Sequence, residues 1–193
     1  MNIHLLYIIL IAVALAFGIY GVVVQRGANL VRIDGRTAQM GLIWGALELF
    51  AVLAGYGIGN WILHFELERD RSIFWIHVLA GAILAAIGIH MLMRAFRKKT
   101  FLEHRMENID MRADTILSLH ACLHGCFAGI ACGLLSLGFL QTLVSIFVIS
   151  AAFAVAGYIS GRAWGAEPST RAYAIGGGLL CAVSIALQLV QLA

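Results

Sequence analysis

The heptapeptide HACLHGC at residues 120–126 brings two imidazoles and two thiols into one short run. Such donors suit Zn²⁺, Ni²⁺ or copper ions. On a helix His120 and His124 stand four residues apart and share a face, while Cys122 and Cys126 share another about 200° away. A single regular helix therefore cannot bring all four donors to one ion. The cysteine stripe runs on into Gly129 and Gly133, a small-residue spacing that lets membrane helices approach closely, so Cys122 and Cys126 read as packing residues. Imidazole has no packing advantage in lipid, and the histidine stripe reads as ligand or proton relay. The alternative is a neutral ring bonded to a carbonyl or serine of another helix.

A second candidate is Glu48, in IWGALELFAVLAG. Counted from Thr37, it lies about 16 Å along its helix, close to mid-bilayer. A charge there costs about 2.5–3.5 kcal/mol by insertion scales, so the carboxyl group needs a partner or stays protonated. It reads as cation ligand or proton acceptor, with interhelical hydrogen-bonding as the alternative. Counted from Asp114, His124 lies about 15 Å in, at the depth of Glu48. The pair is expected to face each other, binding an ion when deprotonated and releasing it when protons compete. The metal-ligand expectation is Glu48, His124 and, one turn nearer the helix start, His120.

Elements of considerable length must position these groups. The chain has 193 residues, 62% hydrophobic and 12% charged, with a mean hydropathy of +0.93. A soluble domain would carry about twice that charged fraction, and this composition marks a membrane protein. Net charge is +3, which gives no case for nucleic acid. Six apolar segments, near 3–24, 38–60, 73–94, 115–136, 139–161 and 172–192, approach the roughly 20 residues needed to cross hydrocarbon. Lipid forces them to be helices, because backbone groups there must be satisfied within the segment. The first segment, beginning without lysine or arginine, reads as a retained span rather than a cleaved signal peptide.

Eleven of the 13 basic residues fall in the first, third and fifth connections, leaving Arg69 and Arg71 for the other side. Positive charge stays cytoplasmic, which puts both termini outside. LAGYGIGNW at 53–61 is echoed by VAGYISGRAW at 155–164, so helices one to three are expected to recur as four to six. An odd number of spans per unit makes the two repeats inverted, a transporter habit with the substrate site between them. The expected fold is all-α: a first three-helix repeat over 1–95, a cytoplasmic basic loop over 96–114 and a second repeat over 115–193.

The order GRTAQMGLIWGALELF (35–50), a central basic loop and GGGLLCAVSIALQLV (176–190), with QRGANL at 25–30, resembles the bacterial manganese efflux pump (MntP-type) family of small six-helix cation exporters. That resemblance implies a multi-pass exporter of a divalent metal ion. The family places an acidic residue followed by alanine in its first and fourth helices, as part of its metal path. The corresponding positions here read Gly18, in FGIYG, and His124, in LHGCF, while the acid of the second helix stands as Glu48.

Several functions are disfavoured by what the sequence lacks. There is no phosphate-cradling glycine loop with lysine, no C-x-x-C and no nucleophile–base pair in polar surroundings, so no enzyme and no bound cofactor are expected. Transport must draw on an ion gradient or a partner chain. His77 and His90, near the ends of the third segment, read as interface residues, with an entry or exit role second. Trp61, Trp75 and Trp164 read as interfacial anchors. Beyond the bilayer and the ion, the partner expectation is a second copy or other membrane subunits, because the missing acids also suit a transporter fold kept as a non-transporting scaffold. A thiol–disulfide electron carrier needs a cysteine in each repeat, and the first has none.

Overall fold

The computed structural model describes residues 3–66, 73–97 and 109–192. Arg69, Arg71 and most of the central basic loop lie outside the described residues. The elements are α1 Ile3–Gly27, α2 Gly35–Glu66, α3 Ile73–Phe96, α4 Met111–Ala121, α5 Leu123–Leu134, α6 Phe139–Trp164 and α7 Pro168–Leu192. No strand occurs among the described residues. Helices α4 and α5 together make one crossing, Met111–Leu134, and with the other five they give six helices long and apolar enough to span a bilayer.

Local chemistry explains several of the boundaries. Asp110 caps α4, its Oδ1 accepting from the backbone N–H of Arg112 at 3.1 Å and of Ala113 at 3.2 Å. That cap starts the fourth crossing at Met111, four residues before the expected span, so the connection expected over 96–114 ends in a helical turn. Pro168 opens α7, where a missing N–H costs nothing. Gly165, at φ 73°, ends α6 in the left-handed region. The turn between α5 and α6 is pinned to α2 by Tyr56, whose hydroxyl donates to the Leu137 carbonyl at 2.6 Å.

The packing is between halves of the chain. The most extensive contacts pair α1 with α6, α2 with α5 and α3 with α7, followed by α1 with α7, α2 with α6 and α3 with α5. Each joins a helix from before the central loop to one after it. Exchanging the first three crossings for the last three turns the α1–α6 pair into the α5–α2 pair and leaves α3–α7 and α2–α6 as their own counterparts. Glycine makes these approaches possible. A Cβ on Gly129 would sit 2.9 Å from the Cα of Val52, and one on Gly161 would sit 2.9 Å from the Ala28 nitrogen. Backbones this close gain dispersion contacts that lipid cannot offer.

One end of the bundle also holds a buried polar cluster. Arg26 Nε at the end of α1 lies 2.7 Å from Asp114 Oδ1 at the start of α4. The Tyr158 hydroxyl of α6 donates to Asp114 Oδ2 at 2.8 Å. Asp114 and Ser118 are the buried residues of α4, so polar contacts anchor this short helix.

Candidate ion site

Glu48 sits midway along α2, about 20 Å from Gly35, and His124 lies the same distance from Met111 along the fourth crossing. The Glu48 side chain is buried, at 2% exposure. The Cys122 thiol is a neighbour of its carboxyl group, and Oε2 has no hydrogen-bond partner among the described residues. Gly125 lies directly against it: a Cβ there would be 2.5 Å from Oε1. A helix with a side chain at 125 could not approach this carboxyl group so closely.

The two helices of the fourth crossing meet at this point. Cys122 adopts a turn between α4 and α5. His124 folds back toward the preceding turn, with Nδ1 3.1 Å from the Ala121 carbonyl. A carbonyl only accepts, so Nδ1 carries the proton and Nε2 carries the lone pair. That Nε2 lies 2.9 Å from Nδ1 of His90 on α3. Hydrogen-bond logic then assigns the bridging proton to His90, which donates Nδ1–H to His124. The ring centroids are 4.9 Å apart.

Glu48, His90 and His124 line one narrow cavity, together with Gly18 of α1, Met91 and Arg94 of α3, and Tyr173 of α7. It leaves about 20 Å³ for the centres of water-sized bodies, room for about one water or one bare cation. Arg94 stacks its guanidinium over the Tyr173 ring, 5.1 Å from the centroid. His90 also reaches an outer apolar groove between α3 and α5.

The structure thus brings two of the three sequence candidates, Glu48 and His124, to one cavity. His120 is exposed and outside it; its Nδ1 lies 3.0 Å from the Ile116 carbonyl, and its side chain borders the outer groove. His90, read from sequence as an interface residue with an entry or exit role second, is exposed and also lines the cavity. Counting from Phe96 places it only about 9 Å along α3, near the helix end, and yet its ring is in contact with that of His124. Its i, i+4 relation to Arg94 was the available signal. Among the described residues, no three His, Cys, Asp or Glu side chains converge to hold a metal ion.

Residues 33–188 match the Mntp family, described as "Putative manganese efflux pump". A "Putative manganese efflux pump MntP" of Photorhabdus laumondii is 26% identical over 179 residues, covering 91% of this chain and 89% of that protein. Proteins of the same description from Yersinia pestis and Yersinia pseudotuberculosis are 23% identical over 176 residues, covering 91% of this chain and 90% of theirs. No solved structure matches the chain.

Proposed function

The chain belongs to the Mntp family, and from that premise we propose that it exports a divalent transition-metal cation across a bacterial inner membrane, drawing on an ion gradient. Glu48 and His124 ligate the ion, with His90 as a third participant. The two termini lie outside and the basic connections lie in the cytoplasm. The two halves are inverted repeats, and the cavity lies where they meet. The observation that carries this reading is that Glu48 of α2 and His124 of α5, from opposite halves, line the same cavity. A buried carboxyl group with an unpartnered oxygen is disfavoured in lipid unless something arrives to bind it.

The mechanism follows from that placement. The ion enters from the end where Arg94 and His90 reach the surface, displaces the proton of Glu48 and sits between α2 and α5. Rocking of the halves against each other then exposes it to the other side, where protons compete for the same donors. Glu48→Gln, close in shape but unable to charge, is expected to reduce ion flux in reconstituted vesicles at least tenfold. The variant should run as a monodisperse protein in detergent. Flux equal to wild type would overturn this mechanism.

A second reading is favoured by one observation, the lack of three convergent ligands among the described residues. On that reading the chain is a non-transporting subunit or scaffold, and Glu48 is interhelical glue. The same vesicles separate the two, because the scaffold carries no ion even as wild type.

A further inference from the structure

We propose that the cavity selects an ion that prefers imidazole nitrogen, a borderline divalent cation such as Zn²⁺, Co²⁺ or Ni²⁺, over Mn²⁺. The inference rests on the transport reading above and narrows its substrate. Three features of the cavity carry it.

The first is the donor set. Among the lining residues Glu48 is the one carboxylate, beside the imidazoles of His90 and His124 and the thioether of Met91. Manganese takes oxygen ligands by preference, and its affinity for nitrogen sites is the lowest of the first-row series. Helix α1 does not add a carboxylate. Position 18 is glycine, and a Cβ there would meet the Met91 methyl at 3.3 Å, so the thioether occupies the space an acidic side chain would need.

The second is charge. The Arg94 guanidinium lines the same cavity as Glu48, so once the ion has displaced the Glu48 proton, one fixed cation offsets the single negative charge. A hard ion held mainly by Coulomb attraction gains little there, whereas an ion forming coordinate bonds to neutral nitrogen loses less.

The third is geometry. His124 donates Nδ1–H to the Ala121 carbonyl, the arrangement that orients a metal-ligating histidine and raises the basicity of its other nitrogen. Two imidazole nitrogens on one tetrahedral ion, each at about 2.0–2.1 Å, stand about 3.3 Å apart. Here they stand 2.9 Å apart. Replacing the bridging proton by an ion therefore requires a small opening of the pair, with the His90 proton moving from Nδ1 to Nε2 and the ring remaining neutral. Glu48 completes the shell from α2 as the halves close.

The test uses the full chain, with binding of Mn²⁺, Co²⁺, Ni²⁺ and Zn²⁺ measured by calorimetry in detergent and flux of the same four ions in vesicles. Zn²⁺, Co²⁺ and Ni²⁺ are expected to bind at least tenfold more tightly than Mn²⁺ and to be carried faster. His124→Asp, which exchanges a nitrogen donor for oxygen, is expected to narrow the gap about tenfold, whereas His64→Ala at the far end of α2 leaves it unchanged. Manganese bound or carried as well as the other three overturns the inference, and so does a gap that His64→Ala removes. Selective binding of the three without flux of any ion overturns the transport reading while the selectivity stands. The wild-type panel decides the matter even if His124→Asp fails to fold.

Discussion

Glu48 is confined by a single absent side chain. With Gly125 pressed against its carboxyl oxygens, α2 and α5 meet where the cavity narrows, and the carboxyl group has no freedom to turn toward lipid. Gly125→Ala would put a methyl group 2.5 Å from Oε1, so the helices must separate or the carboxyl group must rotate. We expect at least a tenfold loss of flux from this variant with its Tm lowered by a few degrees, measured in vesicles and by thermal unfolding in detergent. Glu48 and His124 were legible in the sequence because lipid makes an ionisable residue conspicuous and because counting from Thr37 and Asp114 puts them at nearly equal depths, about 16 and 15 Å. His90 was not, since its partner depends on how far α3 is raised against α5. His120 does share a face with His124, since both border the outer groove, but it lies one turn away from the cavity that holds Glu48.

At the level of elements, the spans could be read from hydropathy, since a bilayer fixes their minimum length and demands helix. The division between α4 and α5 could not, because neither proline nor glycine marks Cys122 and its backbone stays right-handed helical there. Small residues in HGCFAGIACG signalled close packing without naming the partner. That partner is α2, reached through Gly129 with a separation of 2.9 Å from any added Cβ to the Val52 Cα. Gly129→Leu is expected to prevent this approach and to leave little monodisperse protein after extraction. Gly57→Ala, at a site where an added Cβ meets nothing within 4 Å, should be recovered like wild type. Size-exclusion profiles of the two variants check the pair of outcomes.

Across the whole molecule, the echo between LAGYGIGNW and VAGYISGRAW fell on α2 and α6, which pack on each other and hold equivalent places in the contact pattern. What the echo did not convey is that, among the described residues, the extensive helix contacts run between the halves and not within either one. Every extensive contact crosses from one half to the other, so segments 1–97 and 109–193 expressed together should assemble into a flux-competent protein, and either alone should not. Affinity capture of one tagged segment with the other, followed by vesicle flux, tests this; a stable, monodisperse single segment would contradict it.

The interlocked pairing has a consequence for biogenesis. Translation delivers α1, α2 and α3 to the bilayer before α5, α6 and α7 exist, so three helices must wait side by side with their glycine grooves filled only by acyl chains. Insertion and final assembly are thus separate events in time, and the late arrival of α7 closes the last seam.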